Sequence, residues 1–182
     1  GVYQILRLII DRNELQNKAR KLIAIAGYQA EAGDFSQAWI SAQKAVDLIP
    51  SNLETQGEIG MQWFRDIHYS TATLERSFTE IVDKVLPVLY RLIDTTKRST
   101  ASMIYAHIGW GNYLKFREGN AAVRVDEQFA YALALDSSNI YANAMFGFWC
   151  AYPRKGRSIE EARRHFDEAL ATGKERPYVR GL

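Results

Sequence analysis

The sequence predicts an all-α fold built from short pairs of helices. Three observations carry that prediction. Apolar residues recur at spacings of three and four, the period of one helix face, along most of the chain. No segment sustains the every-second-residue alternation of a half-buried strand. Helix-ending signals such as Gly33-Asp34, Pro50-Ser51-Asn52 and Asp136-Ser137-Ser138-Asn139 fall between the apolar stripes.

Each element follows from this pattern in order. Val2, Ile5, Leu6, Ile9 and Ile10 make a first stripe, and Leu22, Ile25 and Ala26 a second. Gly33-Asp34 closes that pair. Phe35, Ala38, Ala42, Ala45, Val46 and Ile49 mark the next helix, which Pro50-Ser51-Asn52 ends while offering polar caps for another. Ile59, Trp63, Phe64 and Ile67 form its face. The cap residues Ser70–Thr73 then introduce a long helix with Leu74, Phe78, Ile81, Val82, Val85, Leu89, Leu92 and Ile93 on one side. Pro87 lies inside it and predicts a kink, because proline lacks the N–H and its ring strikes the preceding turn. Further helices are expected over 101–117, 122–135, 140–151 and 159–171, separated by Glu118-Gly119-Asn120, the Asp136–Asn139 turn and a turn through Pro153, Gly156 and Ser158. That makes about nine helices joined by short polar turns. Pro177-Tyr178-Val179 reads as the start of one more, and the abrupt ends read as those of a segment from a longer protein.

Composition bounds the function. The 182 residues suffice for one domain, and 47% hydrophobic with 24% charged residues is ordinary globular composition. With 23 basic against 21 acidic side chains the net charge is +2, too balanced to predict nucleic acid as a partner. The basic residues between Arg154 and Arg180 read as a solvated helical face. No apolar run approaches the ~20 residues of a membrane span. The single cysteine, Cys150, excludes an internal disulfide without deciding the compartment: a cytoplasmic location is favoured and a periplasmic one stays open.

Self-similarity is the most informative feature. Gly33-Asp34-Phe35 with Ala38, Ala42, Ala45 and Pro50, Gly119-Asn120 with Phe129 and Ala132, and Gly156 with Ala162, Phe166 and Ala169 each combine a Gly turn, a helix with small residues and a polar exit. Trp110-Gly111 and Phe146-Gly147 supply the apolar–small step of the preceding helix. Small residues let two helices approach and bulky ones fill the space a turn later. This pattern resembles the tetratricopeptide repeat, a helix–turn–helix of about 34 residues. The likeness covers 19–52, 104–139 and 140–173, while 53–98 is a divergent helix pair. It implies a single domain over 1–182 in which the repeats stack as a right-handed α-solenoid.

The resemblance also implies a binding surface, since first helices of such repeats line a concave groove that holds peptides. Aligned on the apolar–small step, the groove positions are Arg20, Ile23, Gly27 and Glu31, then Tyr105, Ile108, Asn112, Lys115 and Phe116, then Tyr141, Ala144, Phe148 and Tyr152. Tyr105, Asn112, Lys115, Phe116, Tyr141, Phe148 and Tyr152 are the expected contacts, because aromatic side chains bury much area at little entropic cost. The same aromatics would serve equally as packing between repeats. Ile23 and Gly27 stand where some family members carry a Lys and Asn carboxylate clamp, which argues against that subclass.

Chemistry has no comparable signal. His68, His107 and His165 lie on separate helices, without the spacing of a metal site, and Cys150 reads as a small buried apolar residue with no histidine beside it. Gly109-Trp110-Gly111 lacks the third small residue and the strand of a dinucleotide loop. The sequence therefore predicts no enzyme, no cofactor and no metal. It predicts a protein-interaction module for a peptide or folded partner. The alternatives are a regulatory or substrate-presenting arm of a larger enzyme, or a self-association scaffold forming homo-oligomers.

Overall fold

The computed structural model describes residues 1–69, 77–153 and 158–180. The described residues are helical throughout apart from short turns, with no strand among them. The chain divides into two compact units, Gly1–Ser70 and Thr71–Leu182.

The first unit holds α1 (Val2–Glu31), α2 (Phe35–Leu48), a single 3-10 turn (Pro50–Asn52) and α3 (Leu53–Tyr69). The two stripes expected before Gly33 belong to one 30-residue helix. Nothing between Ile10 and Leu22 breaks a helix, because that stretch holds neither Gly nor Pro. The helix ends where the sequence signals it. Gly33 takes φ +81°, its N–H donates to the Ala30 carbonyl, and the Asp34 N–H donates to the Gln29 carbonyl at 2.8 Å. That pair of bonds satisfies the last carbonyls of α1 and needs the left-handed backbone that glycine adopts freely. The Asp34 carboxylate then caps α2 by accepting the Gln37 N–H.

α2 packs against α1 and α3. Its Ala38, Ala42 and Ala45 are wholly buried beside Phe35, Trp39 and Val46, so the predicted face is the buried one. The Ser41 hydroxyl donates to Gln29 Oε1 at 2.7 Å, and Gln56 Nε2 donates to Gln43 Oε1 at 2.7 Å. These bonds fix the register of neighbouring helices. At about 1.5 Å per residue α1 is ~45 Å long and α2 ~21 Å, so α1 extends well past its partner.

The second unit holds α4 (Phe78–Ile93), α5 (Arg98–Arg117), α6 (Val125–Leu135), α7 (Ile140–Ala151), α8 (Ile159–Gly173) and the single turn α9 (Pro177–Arg180). The expected start of α4, Ser70–Thr73 and Leu74, lies outside the described residues. The described helix is capped by Ser77, whose hydroxyl accepts the Glu80 N–H. Pro87 sits on its exposed side, away from the buried Ile81, Val82, Val85, Leu89 and Leu92. Glu118 reaches the same helix end from the end of α5. Its carboxylate accepts the Phe78 N–H at 2.7 Å, the Thr79 N–H at 2.8 Å and the Thr79 hydroxyl at 2.6 Å.

α5 packs against α4, α6 and α7, and α7 packs against α6 and α8. Short turns make α5–α6 and α7–α8 antiparallel hairpins. α5 begins at Arg98 rather than Ala101, and the Arg98 guanidinium donates to the carbonyls of Leu135 and Ala134 at the end of α6. After Gly119, at φ +99°, the turn repeats the bonding seen at Gly33: Gly119 N–H to Phe116 carbonyl and Asn120 N–H to Lys115 carbonyl. α6 starts at Val125, later than the expected Ala122. Asn120 Oδ1 accepts the Ala122 N–H, and Asn112 Nδ2 holds the Arg124 carbonyl at 3.0 Å, so this segment is tied down as a loop.

The hairpins close tightly where glycine faces an aromatic ring. Gly147 on α7 faces Phe166 on α8, and Gly109 on α5 faces Phe129 on α6. Gly109, just before Trp110 of the predicted step, is the residue that meets the Phe129 ring. Gly173 is the last residue of α8, and an added Cβ there would strike Ile140.

Candidate functional site

The predicted contact residues fall into two groups. Tyr141 is 2% exposed, stacked on His107 at a ring separation of 4.1 Å and edge-on to Tyr178. Asn112 is also buried and holds the loop before α6. Both side chains serve the interior of the second unit, because α5 and α7 are its central helices and expose little surface. Tyr105, Lys115, Phe116, Phe148 and Tyr152 are half-buried. Tyr105 leans on Tyr131, and Phe148 packs between Trp110 and Phe166. Lys115 pairs with Asp83 of α4.

Phe116 and Tyr152 belong to one aromatic cluster. Phe116 meets Trp149 edge-on at 5.0 Å and Tyr152 at 6.0 Å, and Tyr113 touches both Trp149 and Tyr152. The Trp149 indole N–H donates to Asp126 Oδ1 at 2.7 Å. Burial raises the Tyr113 phenol above its ordinary 10.0, with Arg117 opposing and Tyr152 adding. Phe116 and Tyr152 are thus half-buried within this cluster, each keeping part of its surface exposed.

The first unit offers a different surface. Gln16, Ala19, Arg20, Ile23, Ile49 and Asn52 line an open concavity of about 280 Å³. Arg20 and Ile23 are two of the groove positions that the repeat likeness implies. Beyond it toward the N-terminus, Val2, Tyr3, Ile5, Leu6, Leu8, Ile9 and Ile10 are each more than half exposed, from 51% to 79%. At about 100° per residue they cover roughly 220° of the circumference of α1, with Gln4, Arg7 and Asp11 on the remaining strip. An apolar face this broad and this exposed is the kind of surface a partner can bury.

A third grouping escaped the sequence reading. The ligand atoms of Cys150 on α7 and of Glu161 and His165 on α8 all lie within 4.8 Å of one another. This corrects the expectation that Cys150 has no histidine beside it. The α7–α8 hairpin brings together residues fifteen positions apart. The signal available in the sequence was Glu161 and His165 at i and i+4, one face of a helix, across a hairpin from Cys150. His165 is 7% exposed, and its Nδ1 lies 2.9 Å from Asn143 Oδ1. Asn143 is fixed in that orientation because its Nδ2 donates to the carbonyls of Ser137 and Asn139. Its Oδ1 must therefore accept, so His165 carries its proton on Nδ1 and turns the Nε2 lone pair toward Cys150 and Glu161. Burial lowers the His165 pKa below its ordinary 6.5, Arg164 lowers it further, and Glu161 opposes them. The side chain of His68 lies outside the described residues, and His107 is buried with Nδ1 donating to the Met103 carbonyl.

No helix among the described residues is long and apolar enough to cross a membrane. No protein-family model matches the chain, and neither a curated protein nor a solved structure matches it. The functional reading therefore rests on the residues and their geometry.

Proposed function

We propose that this chain is a protein-interaction module, a tetratricopeptide-like helical-repeat segment that grips a peptide or folded partner. The observation that carries the reading is the uncovered N-terminal part of α1. Seven large apolar side chains within nine residues stay more than half exposed there. Burying an apolar side chain of this size is worth about 1.5–3 kcal/mol, so together they are a large reservoir of association free energy. The concavity at Ala19, Ile23 and Ile49 lies farther along α1, with Gln16, Arg20 and Asn52 as polar neighbours that can orient a bound backbone. Among the sequence-predicted contacts, Phe116 and Tyr152 keep half-buried rings on the second unit that could contact a partner there.

The test replaces Ile5, Leu6 and Ile9 with Glu in the 182-residue chain. Affinity capture compares the proteins retained by the wild-type chain and by the triple variant. A partner bound by the wild type and lost by a variant of unchanged helical circular dichroism and melting temperature supports the reading. Identical retention by both would refute it. Light scattering over a concentration series distinguishes a second copy of the chain as the partner, because its mass would rise with concentration in the wild type alone.

A further inference from the structure

We propose that Cys150, Glu161 and His165 form a binding site for a divalent transition-metal ion of the zinc class, held by one thiolate, one carboxylate and one imidazole between α7 and α8. The donor set selects the ion. A thiolate beside an imidazole suits zinc and cobalt and does not suit magnesium or calcium, which take oxygen ligands. Two anionic donors and one neutral imidazole balance the ion's two positive charges, which a half-buried site requires.

The geometry carries the proposal independently of the residue types. His165 Nε2 is buried with no hydrogen-bond partner and faces the other two donors, with Glu161 Oε1 4.0 Å away. The opposite ring nitrogen is committed to Asn143 Oδ1 at 2.9 Å, and Asn143 is itself anchored to two carbonyls of the α6–α7 turn and the start of α7. A ligating histidine whose other N–H is held in this way has its tautomer and ring plane set in advance. Around a tetrahedral ion with bonds of about 2.0–2.3 Å, neighbouring donor atoms stand roughly 3.3–3.7 Å apart. The three donors here already lie within 4.8 Å of one another. Glu161 supplies the closing movement, because its side chain is 41% exposed and is the one solvent-facing ligand. The same exposure leaves the fourth coordination position to water and gives the ion its way in. Cys150 is 2% exposed, and its sulfur stands among the converging donors of the hairpin.

The experiment uses the full chain, stripped of metal with a chelator and titrated with Co2+ and then Zn2+. One Co2+ should bind per chain, with a thiolate-to-cobalt charge-transfer band and the intense visible bands of a four-coordinate ion, and Zn2+ should displace it. Cys150→Ser should abolish the charge-transfer band. Glu161→Gln keeps the size of the side chain and should weaken Zn2+ binding by about ten-fold or more while the metal-free chain keeps its helical circular dichroism. Zn2+ should raise the melting temperature of the wild type and not that of Cys150→Ser. Absence of the charge-transfer band in the wild type overturns the proposal. So does Zn2+ affinity that is the same in wild type, Cys150→Ser and Glu161→Gln, because the ion would then sit elsewhere.

Discussion

Gly147→Ala probes the closest approach of α7 and α8. An ideal Cβ at this position would stand 2.5 Å from Phe166 Cδ1, nearer still to Cε1, and 3.2 Å from Cγ. Carbon atoms rest at about 3.5–4.0 Å, so the ring must retreat by about 1 Å. Phe148, next to Gly147 on α7, already meets the same ring edge-on at 6.0 Å, so the ring's room to move is limited. Overpacking of this kind costs about 1–3 kcal/mol. Alanine offsets about 0.8–1.0 kcal/mol of that, its advantage over glycine inside a helix. The net expectation is a loss near 1 kcal/mol, measured by urea unfolding of the 182-residue chain at 222 nm. In a Phe166→Ala background the obstructing atoms are gone, and the same substitution should stabilise by about 1 kcal/mol. Gly27, with nothing within 4 Å of its would-be Cβ, provides the control: Gly27→Ala should also stabilise. If Gly147→Ala stabilises the otherwise wild-type chain, or behaves identically in both backgrounds, the close packing of these two helices is refuted.

Three further outcomes are expected. Glu118→Gln should cost about 1 kcal/mol, the usual price of a lost helix cap, since an amide cannot accept the Phe78 and Thr79 donors on both of its ends. For Glu118 itself, burial raises the pKa, but the bonds from the Thr79 hydroxyl and the Thr79 and Phe78 N–H groups, with the Arg117 charge, bring it below the ordinary 4.5. Its contribution is therefore complete above that ordinary value and is lost as pH falls through the lower folded value, so the wild-type advantage over Glu118→Gln should shrink in acid unfolding curves. Asn139→Ala should cost about 2–3 kcal/mol in the same urea assay. It removes the cap that accepts the Ala142 N–H and the donor to Ser102 Oγ, which in turn donates to the Ala132 carbonyl in the interior. Asp126→Ala should cost about 1–3 kcal/mol by leaving the Trp149 indole N–H without its carboxylate, and should change the tryptophan emission spectrum in the folded state.

What the sequence alone determined is local. Helix existence, the buried stripe of α2, the stripe of α4 and the two glycine turns at Gly33 and Gly119 were legible, because each depends on residues within about one helical turn of one another. Boundaries moved where a distant group intervened, as when Asn112 tied the Arg124 carbonyl into a loop and delayed α6. Tertiary structure alone decided which aromatics are interior. Tyr105 and Tyr141 occupy equivalent positions of the two repeats in sequence, yet Tyr141 is covered by His107 and Tyr178 while Tyr105 stays only half-buried against Tyr131. It also decided that Glu118 caps a helix starting forty residues earlier in the chain, and that Cys150 meets Glu161 and His165. The physical reason is the same in each case. Backbone propensity and periodicity are set by near neighbours, whereas a ring's exposure, a distant cap or a set of converging donors depends on which helices pack face to face, and that is fixed by the fit of side chains such as Gly147 and Phe166 across the gap.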